Sequence, residues 1–272
     1  MISPFNHFLT FVLGTCIGSF LNVIVYRFPQ NISIIKPRSF CPKCKNKLTW
    51  RENIPIISWL IQRGKCINCN VSIPIKYPLI ELLTGFLFVL FTNSSPSLYS
   101  SDKYLLLNVF ISWIFLSILI CISLIDILQF WIPQGLLNFG FTSGILGLIT
   151  IEIFNDKFID FSFIVRGLST PLISFLIFEA LRQFAKYIFK KNAIGKGDSK
   201  LVAMLSLWLG PVGTLFAVGF SYVFAAIYCF LGLSMNFLKF RQIIPFAPFL
   251  SLGGLTVWFL GNEFIMLKIL RI

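Results

Sequence analysis

The sequence predicts an all-α polytopic membrane protein of about seven to eight transmembrane helices, with a small cytoplasmic cysteine-rich loop domain between the first and second. Three observations carry this. Of 272 residues, 57% are hydrophobic and 12% charged, where a soluble domain carries about 25% charged residues. The mean hydropathy is +0.85. Apolar runs long enough to cross a bilayer, about 20 residues each, alternate with basic loops. So much apolar surface excludes a soluble globular enzyme, and 32 Phe exclude a disordered chain.

The elements follow in order. The first span runs from Phe5 to about Tyr26, with no Lys or Arg before it, so it reads as a span rather than a cleaved signal. A polar stretch over 27–77 separates it from a short second span, Pro78 to Phe91. Further apolar runs cover Tyr104–Ile125, Gly135–Thr150 and Phe161–Ala180. The region Leu201–Asn236 is broken at Gly210-Pro211-Val212-Gly213, and a last run covers Ile243–Leu267. Asn93–Ser97 reads as an outside loop. The domains are therefore 1–26, a first transmembrane helix; 27–77, the loop; and 78–272, a multi-span membrane domain. No internal repeat stands out.

The net charge of +13 is explained by topology. Ten basic residues lie between Arg27 and Lys76 against the single acid Glu52, which places this loop in the cytoplasm and the N-terminus outside. Counting spans then puts Asp102, Glu152, Asp156 and Asp160 outside and the Arg182–Lys200 cluster inside. Charge bias serves eight spans and seven equally, because either Lys239 and Arg241 or Lys268 and Arg271 complete the inside set. A basic membrane face favours anionic lipid, not nucleic acid.

Cys16, Cys121 and Cys229 sit singly in apolar runs and read as packing residues. Cys41-Pro-Lys-Cys44 and Cys66-Ile-Asn-Cys69 are different. Two C-x-x-C pairs 21 residues apart are a four-thiolate zinc pattern, closed and structural. Two disulfides or a redox pair are the alternatives. The cytoplasmic placement and the lack of a βαβ context weigh against both. His7, across the first span, is not a ligand.

Asp126 follows the run Ile111–Ile125, and Asp198 lies in Gly195-Lys196-Gly197-Asp198-Ser199-Lys200 before another. An acid at membrane depth is costly and marks a functional site, although either Asp alone also reads as an interfacial cap, Asp198 as a helix N-cap. If the two converge, one holds a proton and the other serves as base, the arrangement that activates water against a peptide carbonyl. The glycines before Asp198 allow close backbone approach, as by a substrate strand.

Taken together, these motifs resemble the bacterial type IV prepilin peptidases. The resemblance rests on Gly18-Ser19-Phe20-Leu21-Asn22-Val23 with Arg27-Phe28-Pro29, the paired cysteines, and Asn53-Ile54-Pro55 with Ser58-Trp59-Leu60. It continues through Tyr77-Pro78 with Glu81-Leu82-Leu83-Thr84-Gly85, Asp126 with Ile132-Pro133, Gly195–Leu201, and Ile244–Leu250 with Gly253-Gly254. It implies a multi-pass enzyme of the bacterial cytoplasmic membrane. Such an enzyme cleaves the basic leader of prepilins or pseudopilins after a Gly, then methylates the new amine with S-adenosylmethionine. It also implies that Asp126 and Asp198 are the catalytic acids, and that Cys41, Cys44, Cys66 and Cys69 hold zinc. Gln134 departs from the pattern, in which an acid or Asn often follows Ile-Pro. The residues by themselves leave two other readings open. One is a non-enzymatic membrane scaffold with a zinc-stapled loop for pilus or secretion-system assembly; the other is a proton-relay transporter. No glycine-rich nucleotide loop marks a methyl-donor site, and the oligomeric state is not encoded in any motif.

Overall fold

A computed structural model describes residues 4–93, 105–154, 161–190, 195–240 and 242–261. Asp102, Asp156, Asp160, Arg241, Lys268 and Arg271 lie outside the described residues, as do most of the Asn93–Ser97 loop and the end of the last apolar run. The chain forms two compact units, Met1–Ser94 and Ser95–Ile272. Among the described residues all regular structure is helical.

In the first unit, helix α1 (Pro4–Arg27) and helix α3 (Lys76–Asn93) pack against each other. Small residues make the approach close. A Cβ on Gly14 would lie 2.8 Å from the Cα of Gly85, and one on Gly18 2.8 Å from the Cα of Glu81. In an apolar medium such a seam is how helices gain dispersion contact. Between them, α2 (Ile57–Ile61) is a single short helix. Two β-bridges, Phe40 with Lys47 and Lys65 with Ser72, close the two cysteine turns. The same turn therefore occurs twice, a repeat too short to stand out in the sequence. Arg27 ends α1 and is 3% exposed. Its guanidinium donates to the carbonyls of Ser33, Ile34, Pro37 and Arg38 at 2.8–3.3 Å, tying the loop to the helix.

In the second unit, α4 (Leu105–Gln129), α5 (Gln134–Phe154), α6 (Phe161–Phe189), α7 (Lys196–Ser234) and α8 (Ala247–Leu260) surround a core drawn mainly from α4, α7 and α8. Phe115, Trp208 and Trp258 cluster at its centre, with centroids 4.7–5.9 Å apart; Phe115 stacks on Trp208, and the two indoles meet edge to face. The indole N–H of Trp208 donates to the Gly140 carbonyl at 3.0 Å, and that of Trp258 to the Ser112 hydroxyl at 3.0 Å. Each ring thereby meets its polar need inside an apolar core. A Cβ on Gly144 would lie 2.8 Å from Trp208 Nε1, so α5 can approach α7 only with glycine there. Many large apolar side chains face outward, among them Phe8, Phe86, Ile145 and Leu215. That outer surface suits lipid.

Among the described residues three helical stretches are long and apolar enough to cross a membrane: Asn6–Gln30, Leu106–Gln129 and Lys196–Ser234. The apolar α8 is shorter. Within α7 two helical stretches meet at a kink at Gly210, which has a non-helical φ of 72° and precedes Pro211, a residue with no N–H to donate. Cys121 is buried as a packing residue, while Cys16 is exposed on α1.

Candidate active site and metal centre

Asp126 and Asp198 come from opposite helix ends in the second unit. Helix α4 runs past Ile125 to Gln129, so Asp126 sits within its last turn rather than after it. Asp198 is not the N-cap of α7. Gly195 is, and Asp198 occupies the third helical position, where its Oδ2 accepts the Gly195 N–H at 3.1 Å. A carboxylate there also meets the positive end of the helix dipole. Asp126 Oδ2 accepts the backbone N–H of Ala247 at 3.1 Å. Ala247 opens α8, and the Pro245–Pro248 segment presents its free N–H. The two carboxyls are 5% and 7% exposed and act on each other electrostatically.

The space beside Gly197 is not open to a strand. A Cβ there would lie 3.0 Å from Ile132, so the glycine admits the α4–α5 connection, which brings the two helix ends together. Further side-chain contacts brace the site. Glu179 of α6 pairs with Arg182 and accepts the Ser199 hydroxyl at 3.3 Å. Lys200 Nζ donates to Gln134 Oε1 at 2.6 Å, and Gln134 Nε2 donates to Asn138. Gln134 thus joins the starts of α5 and α7. Tyr222 packs against Phe246, the rings tilted with centroids 5.3 Å apart, and feels the Asp198 charge. Sequence reasoning missed Glu179, Tyr222 and the Ala247 N–H. The first two sit in ordinary apolar helical surroundings, and a backbone donor has no residue signature.

In the first unit the four cysteine sulfurs lie within 4.8 Å of one another and are free thiols. Each pair is bent by the same knuckle. The Cys41 N–H donates to Asn46 O and the Lys45 N–H to Cys41 O; the Cys66 N–H donates to Val71 O and the Asn70 N–H to Cys66 O. Lys45 and Asn70 take left-handed φ of 60° and 54° to close the turns. Cys41 Sγ and Cys69 Sγ are 3.8 Å apart. Sulfurs about 2.3 Å from a tetrahedral zinc stand roughly 3.8 Å from one another, so the donor set and its spacing fit that ion. The Cys44 backbone N–H and the neighbouring groups lower the Cys41 thiol to about 7. The Val71 N–H lowers Cys69, but burial and the crowding thiols outweigh it and raise it to about 11. Four sulfurs this close could hold one metal ion, and a metal would bind them as thiolates.

A family model described as Bacterial Peptidase A24 N-terminal domain matches residues 12–94, and one described as Type IV leader peptidase family matches residues 113–230. The chain is 33% identical to the "Type 4 prepilin-like proteins leader peptide-processing enzyme" of Escherichia coli O78:H11, over 94% of each protein. It is 30% identical to the "Prepilin leader peptidase/N-methyltransferase" of Bacillus subtilis, over 94% of this chain and 95% of that one. With the protein of the same name from Myxococcus xanthus it shares 37% identity over 73% of this chain, which takes in 55% of that longer relative. No solved structure matches the chain.

Proposed function

Because the chain belongs to the type IV leader peptidase family, we infer that it is a membrane endopeptidase that removes the leader of type IV prepilins or pseudopilins and then methylates the new N-terminal amine with S-adenosylmethionine. One observation carries the peptidase half: two nearly buried carboxyls, Asp126 and Asp198, interact at the facing ends of α4 and α7. Each has one oxygen engaged by a backbone N–H. A membrane scaffold would gain nothing from burying both acids.

In the proposed reaction one carboxylate accepts a proton from water as the water oxygen bonds to the scissile carbonyl carbon. The other, protonated, gives its proton to the carbonyl oxygen. Collapse of the tetrahedral intermediate then breaks the C–N bond, and the leaving amine takes up a proton. The Ala247 and Gly195 N–H groups hold one oxygen of each acid, leaving the other free to work. The cut lies at the cytoplasmic face of the bacterial inner membrane, which follows from the basic Arg27–Lys76 loop and the N-out topology it implies.

Zinc is assigned to Cys41, Cys44, Cys66 and Cys69, where it would staple a loop with little apolar core. Its coordination is filled by sulfur, so its role is structural.

The test is cleavage of a purified prepilin by the detergent-solubilised chain, read as leader loss by mass, with S-adenosylmethionine present to read the added methyl group. A pilin left at its original mass would overturn the reading.

A further inference from the structure

The first unit holds a cavity of about 490 Å³, enclosed by the end of α1, the cysteine loop, α2 and the start of α3. Small-molecule sites measure about 300–1,000 Å³ and combine apolar walls with a few convergent polar groups. Its charged wall residues are Arg27, Lys43, Glu52 and Glu81, and Tyr26, Trp59 and Tyr77 give it aromatic faces. None of these groups takes part in the carboxylate pair of the second unit.

Glu81 is the distinctive one. It is 9% exposed, and its Oε2 accepts the Ile56 N–H at 2.7 Å. Ion pairing among the described residues leaves it without a cation. A buried carboxylate with no counter-charge is costly unless a cationic partner arrives. The surroundings hold it rigidly in place. Gly18 brings α1 against its Cα. Ile56 is β-branched yet held at φ 59°, ψ −52°, a strained conformation that points the N–H at Glu81. The aromatic walls are fixed as well: Trp59 Nε1 donates to the Ile73 carbonyl at 3.0 Å, and Asn22 Nδ2 to that of Tyr77 at 3.1 Å. Flat aromatic faces beside a buried carboxylate that no ion pair neutralises suit a ligand that is planar at one end and positively charged at the other.

We propose that this cavity is the S-adenosylmethionine site, with the Glu81 carboxylate as counter-charge to the donor's cationic end. The proposal rests on the methyltransferase half of the function inferred above. The adenine packs among Tyr26, Trp59 and Tyr77. In the transfer the amine lone pair bonds to the methyl carbon, the C–S bond breaks with its electrons going to sulfur, and the amine proton leaves to water.

The experiment is equilibrium dialysis of the full chain in detergent against labelled S-adenosylmethionine and, separately, methylthioadenosine. The second probe keeps the adenine, ribose and sulfur but carries no positive charge. The chain with its own residues, Glu81→Gln and Gln62→Trp are compared. Gln62 is half-buried on the cavity wall and takes no part in the Ile56–Glu81 hydrogen bond, so an indole there is chosen to take up cavity space. Glu81→Gln is expected to weaken S-adenosylmethionine at least tenfold and leave methylthioadenosine unchanged, while Gln62→Trp weakens both. Unchanged binding of S-adenosylmethionine by either variant overturns the assignment, and so does an equal loss of both probes in Glu81→Gln. If the unaltered chain still methylates trimmed pilin in those cases, the inferred function stands and only the site is wrong. If it neither binds the donor nor transfers a methyl group, both fall together.

Discussion

The backbone N–H of Ala247 donates to Asp126 Oδ2 at 3.1 Å across 121 residues of sequence. This bond ties the start of α8 to the end of α4. It is the counterpart of the bond by which Gly195, at the start of α7, holds Asp198. Both acids are therefore anchored by helix starts, whose first N–H groups have no partner within their own helix. Anchoring by the main chain fixes one oxygen of each carboxyl whatever the side-chain setting, and leaves the opposite oxygen to the chemistry.

Asp126→Asn and Asp198→Asn should each lower the cleavage rate by at least about a hundredfold, the scale of a lost general acid or base. An amide keeps the oxygen that accepts the Ala247 or Gly195 N–H, so both variants should insert and elute as the unaltered chain does. Time courses of leader removal decide the matter. A native rate in either variant would remove the two-acid mechanism.

The family's chemistry was legible in the sequence where it needs particular side chains at particular spacing. Paired cysteines 21 residues apart close into one sulfur cluster because a C-x-x-C turn can bend only a few ways, and two acids at apolar run ends stand out by cost. What holds those acids was not legible. The Ala247 donor is main chain, and Ile132 against Gly197 is one apolar residue among many. Glu81 stood in the sequence only within the Glu81–Gly85 motif of the short second span, since nothing in the pattern reveals that α2 folds back so that Ile56 can cap it.

The helix seam of the first unit gives a stability prediction. Gly18→Ala places a methyl group 2.8 Å from the Glu81 Cα and 3.0 Å from Thr84, contacts that only a shift of α3 relieves. Overpacking of this kind costs about 1–3 kcal/mol. Gly219→Ala meets nothing within 4 Å and should be neutral or stabilising by about 0.4–1 kcal/mol. Thermal unfolding in detergent should show a lowered midpoint for the first and none for the second. Equal midpoints would mean the seam is not tightly packed.

Metal analysis should find one zinc per chain, and replacing Cys41 and Cys44 with Ser should release it. The loop between Arg27 and Tyr77 then loses its staple and should be cut by protease at concentrations the unaltered chain resists. Undiminished resistance after metal loss would show that the Arg27 hydrogen bonds suffice to hold the loop.

Glu52 predicts a local response to acid. The Thr49 backbone N–H and hydroxyl both donate to its Oε2, at 2.8 and 2.7 Å, and hold its carboxyl below the usual range. A depressed carboxylate contributes fully above its unfolded value, about 4.3, and the contribution disappears as pH falls through the lower folded value. Amide exchange at Thr49, corrected for its intrinsic rate, should lose protection across that acid window in the unaltered chain. In Glu52→Ala it should already be unprotected at neutral pH. A pH-independent difference between the two would assign the protection to packing instead.

The two reactions should separate by mutation. Hydrolysis needs two acids that share protons, and Asp126 and Asp198 lie in the unit Ser95–Ile272. Methyl transfer needs a bound donor and a neutral amine, and the cavity with Glu81 lies in the unit Met1–Ser94. Neither chemistry consumes a group the other requires. The order of events is nonetheless fixed for an intact prepilin, because the amine does not exist until the leader has gone. A chain that cannot hydrolyse therefore looks inert towards both steps unless it is given a substrate already trimmed. Asp198→Asn, supplied with trimmed pilin and labelled S-adenosylmethionine, should transfer methyl groups within about twofold of the unaltered rate, as expected for independent sites. Glu81→Gln on the same substrate should transfer markedly less. Loss of transfer in a well-folded Asp198→Asn would mean that the acids also hold the amine, and that the chain has one composite site rather than two.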